Sequence, residues 1–221
     1  MIVDKNAKSL EESVFLKLQD EILSGTLVRG ETLTEASITS RLGTSRTPVR
    51  AALARLAEEG LVELSPNRGA VVLGVTSEDL VDIYKMRMRL EGLASREAAK
   101  KISDEDKKLL TDSVELSEFY IRKKDAEKLK ELDSEFHDII YRASGNRALN
   151  KTLSELHRNI TAYRKMSLAA PGRLERSVGE HREILEAIEA HDAEMADRLT
   201  SEHIAAALEN MLITVEKQEG I

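Results

Sequence analysis

Apolar residues recur every three or four positions along most of this chain, and the places where that rhythm fails divide it into parts. Val14, Phe15, Leu18 and Ile22 share one helical face, which predicts a helix over residues 9–24 stopped by Gly25. Residues 1–8 carry no such face and read as frayed, and residues 26–33 read as a loop. A short helix over residues 34–42 ends at Gly43, and another starts near Arg46. In that helix Val49, Leu53 and Leu56 form the core face, and Pro48 fits only a first turn, where its missing N–H is not needed. Ser45 or Thr47 supplies the cap, and Gly60 the stop. The rhythm then changes. Leu61 to Leu64 and Ala70 to Val75 read as two strands joined by the turn-forming run Ser65-Pro66-Asn67-Arg68-Gly69. Helix, short helix, glycine turn, helix and hairpin together predict a winged helix-turn-helix over residues 8–75.

Beyond Val75 only the helical rhythm remains. It predicts helices at about residues 77–101, 104–122, 125–143, 147–168, 174–190 and 192–217. The first has Ser77 as cap and acids in its opening turn. Breaks fall at Ser103, Lys124-Asp125, Gly145-Asn146, Pro171-Gly172 and His191-Asp192. The expected fold class is mainly α: a winged helix followed by an all-helical bundle over residues 77–217.

Charge sharpens the first part. The 221 residues carry a net charge of −7, which alone argues against broad nucleic-acid binding. Residues 1–75 nevertheless hold nine basic and ten acidic residues, and the four arginines from Arg41 to Arg55 have no acid among them. Basic charge is thus gathered on one small element, while most of the acidic excess lies elsewhere. Arg46 and Arg50, four residues apart, share one face near a helix N-terminus, whose unpaired N–H groups also suit a phosphate. Two arginines alone are an ordinary solvated face; the capped start, Pro48, the glycine stop and the hairpin together point to DNA. The chain has no cysteine, so disulfides and thiolate chemistry are excluded. No leader and no apolar run long enough for a bilayer is evident, so the expectation is a cytoplasmic protein with no membrane partner.

The stretch from Ser24 to Val72 resembles the winged-helix domain of GntR-type bacterial transcription regulators. It has Leu33-Thr34-Glu35, Leu42-Gly43-Thr44-Ser45-Arg46-Thr47-Pro48-Val49-Arg50, Glu59-Gly60-Leu61-Val62 and a Pro-x-x-Gly wing. The resemblance covers about residues 10–75. It implies DNA contact by Ser45, Arg46, Thr47 and Arg50, with the wing around Asn67, Arg68 and Gly69 reaching backbone or minor groove. Three residues depart from the pattern: Arg29 in place of proline, Ala51 in place of glutamate, and Ala36 where a basic residue is common. The last removes one possible phosphate or base contact and bears on operator preference.

The second part is marked by its histidines. His181 lies on a face with Val178, Leu185 and Ile188, and His203 on one with Ala196, Leu199 and Ala206. His137 stands one turn after Asp133, beside Ile140. A single histidine on an apolar face is most often a satisfied core residue. Four such groups on three helices of one bundle fit a metal site, because buried polar groups need partners. Spacing alone leaves both readings open. "LDSEFHDIIYRASGN", "GEHREILEAIEAHDAEMADRL" and "SEHI" resemble the FadR-type C-terminal domain (FCD) of GntR regulators. That resemblance implies a divalent metal held by Asp133, His137, His181 and His203, zinc first, with nickel, manganese or iron as alternatives. It also places Arg87 and Glu91 at that domain's usual Arg and Glu positions. His157 and His191 fall outside the pattern and read as surface or packing residues.

The resulting expectation is a homodimeric, metabolite-responsive repressor on a pseudo-palindromic operator. Its effector is a small carboxylate bound at or near the metal, with Arg87 and Arg164 as candidate carboxylate partners. An enzyme using the Asp/His site to activate water is the rival from another class, although no general base is evident beside the ligands. A purely structural metal is the second rival.

Overall fold

The computed structural model describes residues 5–65, 69–74, 76–160 and 172–219. The chain divides into two compact units, Met1–Thr76 and Ser77–Ile221.

In the first unit, α1 (Lys5–Leu23) packs on α3 (Arg46–Glu58), with α2 (Glu35–Leu42) between them in sequence. Helix α1 starts four residues before the position that periodicity gives, and residues 26–33 contain a two-residue strand, β1 (Thr32–Leu33). Strands β2 (Val62–Ser65) and β3 (Gly69–Val72) complete a three-stranded antiparallel sheet of order β1-β3-β2. Ala70 lies opposite both Leu33 and Leu64. A pair of residues so short as β1 has no readable alternation; its pairing with β3 is tertiary. The core of this unit joins Val14, Leu18, Ile38, Val49, Leu56 and Ala70, so both helix faces predicted as apolar are buried.

The caps explain where α2 and α3 begin. Thr34 Oγ1 accepts from Ser37 N at 3.1 Å, and Gly43 closes α2 in the left-handed conformation. Ser45 occupies the cap position of α3 but makes no side-chain cap bond, and Thr47 is already helical. Pro48 at the third helical position removes one of the two N–H groups that such a cap normally uses. The Ser45 hydroxyl and the first N–H groups of α3 are left for an outside acceptor.

Among the described residues the second unit contains only helices: α4 (Ser77–Lys101), α5 (Asp104–Lys123), α6 (Ala126–Ala143), α7 (Arg147–Asn159), α8 (Arg173–Glu189) and α9 (Ala193–Glu219). Ser77 is the first residue of α4 rather than its cap. Ser103, Asp125 and Asn146 do cap α5, α6 and α7, each accepting a backbone N–H three residues on. The long helices α4 and α9 pack along each other, and α6 and α8 fill the interior with Phe136, Ile140, Ile184 and Leu185. His191 takes a left-handed conformation in the α8–α9 turn; it is exposed, with Nδ1 2.6 Å from the carbonyl oxygen of Ala99, so it is a surface residue tied to α4. The predicted helix over 147–168 is seen as far as Asn159; its remainder, and with it Arg164, lies outside the described residues, as do Asn67 and Arg68.

Gly69 sits at φ +94°, and an added Cβ would collide with the carbonyl oxygen of Leu33 and come within 3.0 Å of the Thr34 Cα. Gly69→Ala should therefore destabilise the first unit by about 2–4 kcal/mol through combined strain and overlap. Urea denaturation followed by circular dichroism checks this; a first transition unchanged in midpoint would contradict it.

Candidate functional site

The N-terminal end of α3 forms one wall of an open cleft of about 920 Å³, lined among others by Thr34, Glu35, Arg46, Arg50, Leu64 and Gly69. Ser45, Arg46, Thr47 and Arg50 are all exposed, while Val49 and Leu53 behind them are buried. The cleft thus carries cations and uncapped N–H groups on a rigid helix held by a packed core, which is the chemistry a nucleic-acid backbone and base edge need. Arg50 Nε donates to Glu35 Oε1 at 2.7 Å across the α2–α3 turn.

The second unit holds a different site in its interior. His137 on α6, His181 on α8 and His203 on α9 are 1%, 2% and 4% exposed, and their ligand atoms all lie within 4.8 Å of one another. His203 Nε2 is 3.3 Å from His137 Nε2 and 3.4 Å from His181 Nε2. On their outer sides, His137 Nδ1 lies 2.8 Å from Glu91 Oε2 and His203 Nδ1 2.6 Å from Glu180 Oε2. Arg87 Nε donates to Glu91 Oε1 at 2.6 Å, and Arg173 Nη1 to Glu180 Oε2 at 2.8 Å. Two of the three imidazoles are therefore backed by the same relay, guanidinium to carboxylate to imidazole.

The electrostatics fix the roles of the ring nitrogens. Burial pushes the Glu91 carboxyl up, but Arg87 and then His137 outweigh it and hold the group well below the usual carboxylate range. Glu180 is lowered likewise, burial being overcome by His203 and Arg173. Ionised carboxylates only accept, so each facing Nδ1 carries the hydrogen and each Nε2 presents a lone pair. Burial lowers the His203 pKa, which favours the neutral ring. The Nε2 lone pairs of His137 and His203 face each other at 3.3 Å and repel unless a cation lies between them. Ligands about 2.0–2.1 Å from a tetrahedral ion stand about 3.3–3.4 Å apart, which is the separation of His203 Nε2 from each of the other two Nε2 atoms. The donor set fits a divalent metal, and the carboxylates behind the rings are the partners such histidines usually have. Asp133 is not within that tight group; its Oδ1 is 3.7 Å from His181 Nε2 and accepts from Ser177 Oγ at 3.2 Å. Phe136 stacks on His181, with centroids 3.9 Å apart, and sets its ring plane.

Known proteins share both units. Residues 10–72 match the profile of the bacterial regulatory proteins of the gntR family, and residues 82–206 match the FCD domain. The chain belongs to the GntR family of bacterial transcription regulators. It is 28% identical over 203 residues to the HTH-type transcriptional regulator YdhC of Bacillus subtilis (strain 168), covering 91% of this chain and 90% of that protein. It is 31% identical over 188 residues to the probable D-xylose utilization operon transcriptional repressor of Paenarthrobacter nicotinovorans, covering 85% and 82%. The solved structure of E. coli McbR/YncC has the same fold, with a TM-score of 0.73 at 24% identity over 95% of this chain and 98% of that one.

In this GntR-type regulator the structure brings His137, His181 and His203 together, as the sequence led one to expect, with Asp133 beside His181. Arg87 is also at the site, but as a buried partner of Glu91 whose Nη1 has no hydrogen-bond partner among the described residues. His157, read as a surface or packing residue, is the latter. It is 8% exposed, with its ring 6.1 Å from His137 and 6.3 Å from Tyr141, and it also borders a cleft of about 400 Å³ with Arg142, Ser154 and Arg158. Its burial follows from α7 packing on α6 and α4, which no local pattern announces. Glu180 and Arg173 escaped notice as well. Their seven-residue spacing puts them near one face of α8, a readable signal, but their target His203 is on another helix.

Arg87 and Glu91 are both 1% exposed at the side chain. Glu91→Gln should cost about 3–5 kcal/mol, because it strands a buried guanidinium. The double variant Arg87→Met, Glu91→Leu should recover most of that loss. Thermal unfolding of the second unit in the three proteins checks this; a single variant as stable as the parent would show that the pair is not buried.

Proposed function

We propose that this GntR-type regulator is an operator-binding repressor whose hold on DNA is released by a small carboxylate bound at a metal inside the helical unit. The observation that carries the reading is the convergence of three buried imidazoles, two of them backed by ionised carboxylates, in the same chain as an exposed arginine-bearing recognition helix. His137, His181 and His203 would hold the ion, with Asp133 as the fourth ligand; zinc suits this donor set, and nickel, manganese or iron share it. A bound divalent cation would supply positive charge and an exchangeable position to a carboxylate. Arg87 Nη1, which has no hydrogen-bond partner among the described residues, would supply a hydrogen-bond donor on the chain's own side. Arg164 is a further candidate outside the described residues. The named operons of the relatives favour sugar-derived acids as the first effectors to screen: besides the xylose repressor, the gluconate operon transcriptional repressor of Bacillus subtilis (strain 168) is 34% identical over 130 residues. That match covers 59% of this chain and 53% of that protein.

On DNA, Ser45, Arg46, Thr47 and Arg50 contact one half-site, with the wing residues Asn67, Arg68 and Gly69 beside them. One recognition helix covers one half-site, so a homodimer on a pseudo-palindromic operator follows, with the helical unit as the larger available interface. Operator binding goes with a cytoplasmic location; no helix among the described residues is long and apolar enough to cross a membrane. Switching requires that the effector prefer one arrangement of the paired DNA-binding units.

Arg46→Ala and Arg50→Ala should each weaken operator binding by about 1–3 kcal/mol, and relax specificity where the arginine reads a base, without changing the melting temperature. Gel-shift titration checks this, and parental affinity in both variants would remove these residues from the interface. For the metal, His181→Ala and His203→Ala should abolish stoichiometric binding, whereas Glu180→Gln should weaken it about 10–100-fold. His191→Ala, remote from the cage, is the control. Elemental analysis of untagged protein and chelator-dependent melting read this out. Were the His181 and His203 variants to match the control, the histidines would be core residues and the carboxylate would need another anchor. A metal that raises stability while no carboxylate alters operator binding would instead mark a structural clamp.

A further inference from the structure

The arginine assigned to base reading does not stand alone. Glu35, in the first turn of α2, lines the same cleft as Arg46 and Arg50, and its carboxylate takes the Arg50 Nε–H at 2.7 Å. We propose that Glu35 is a specificity-setting positioning residue: it holds Arg50 in its reading pose and, as the carboxylate beside that arginine on the DNA-facing wall, weakens binding to DNA of any sequence. This rests on the operator-binding face described above.

Three features carry it. First, the bond engages Nε, so the end-on edge formed by Nη1 and Nη2 is not used by it. That edge is the one with two parallel N–H donors for guanine O6 and N7. Second, the pair spans two helices rather than one helical turn, so it fixes the direction of Arg50 relative to the whole motif. The Arg50 side chain remains 66% exposed and that of Glu35 26% exposed, so a ligand can reach the arginine without unfolding anything. Arg50 first and then Arg46 hold the Glu35 carboxyl below the usual carboxylate range, so the negative charge shares the cleft with both cations. Third, Ala36 follows Glu35, so the start of α2 adds no cation of its own to this wall. Position 35 is therefore the titratable group of that turn, and it is negative.

An exposed ion pair of this kind contributes little to stability. Its effect is on binding. A flexible arginine can reach any phosphate nearby, which strengthens contact with all sequences alike. An arginine tethered through Nε has fewer poses, and a carboxylate close to the phosphates repels them all. Both effects lower affinity for random DNA, and the tether spares the one pose that reads a base. The alternative role for Glu35 is a helix N-terminal charge that stabilises α2. That role would act on folding and would not depend on Arg50.

The test uses the full-length protein and two duplexes, the operator and a scrambled sequence of the same length, titrated by fluorescence anisotropy over a range of salt. Glu35→Ala should tighten binding to the scrambled duplex roughly three- to tenfold, with little gain on the operator, so the ratio of the two affinities falls. Salt dependence on scrambled DNA should steepen by about one unit of slope. Glu35→Gln, which keeps an acceptor but loses the charge, should tighten scrambled binding while keeping more of the ratio than Ala. In the Arg50→Ala background, Glu35→Ala should no longer change the ratio. The inference is overturned if Glu35→Ala shifts both duplexes equally, or changes the ratio equally with and without Arg50. Melting temperatures within a degree or two of the parent separate these effects from loss of folding. Should Arg50→Ala itself leave operator binding untouched, the operator-face reading fails; if Arg50 matters and Glu35 does not, only the present inference does.

Discussion

Three imidazoles gathered inside a helical bundle, with His203 Nε2 within 3.3–3.4 Å of both His137 Nε2 and His181 Nε2, are the constraint around which the second unit is organised. Neutral histidines with their N–H groups turned outward repel across such a gap, and protonated ones repel more. Charge outside two of the rings, those of His137 and His203, turns their N–H groups outward and their Nε2 atoms toward a common centre. Arg87 with Glu91 and Arg173 with Glu180 do this from opposite sides, through helices α4 and α8. The Arg87–Glu91 relay is fully buried, whereas the Glu180 carboxylate is 28% exposed and reaches His203 from the edge of the core.

The cost of that arrangement is visible in the burial of full charges. Arg87 and Arg173 are among the largest fully buried side chains in the molecule. Buried ion pairs rarely add stability over apolar packing of the same volume, so the relays are poorly explained as devices for holding the bundle together. The apolar core of Phe136, Ile140, Ile184, Leu185 and their neighbours does that. The polar network runs through this core and spends some of its stability on orientation. Phe136 belongs to both, packing in the core and stacking on His181.

The DNA-binding unit solves a similar problem with opposite exposure. Its recognition helix must present cations outward from a small core, and Pro48 makes both possible. The ring is buried, its missing N–H removes one of the donors a Ser45 cap would use, and no side-chain cap closes the start of α3. In both units a group normally satisfied within the chain is oriented toward something the chain does not supply.

Helical rhythm, turn residues and caps made the order of elements readable because they act over three or four residues: Thr34, Gly43, Ser103 and Asn146 mark their boundaries without help from distant parts. Asp133 and His137, one turn apart, were visible for the same reason, and His181 and His203 stood out as polar residues on apolar faces. The strand Thr32–Leu33 was not readable, since it exists only as a partner of β3. Nor was the burial of His157, which depends on how α7 lies against its neighbours, nor the pairing of Glu180 with His203 or of Glu35 with Arg50. A local pattern can say which face of a helix is turned inward, because burial of apolar area acts on the whole face. It cannot say which atom on one helix meets which on another, because that depends on crossing angles and axial offsets set by the packing of the entire unit. The residues of the site were therefore largely legible in the chain, while their tautomers, their carboxylate partners and the spacing that suits a metal came from the packing of α4, α6, α8 and α9 together.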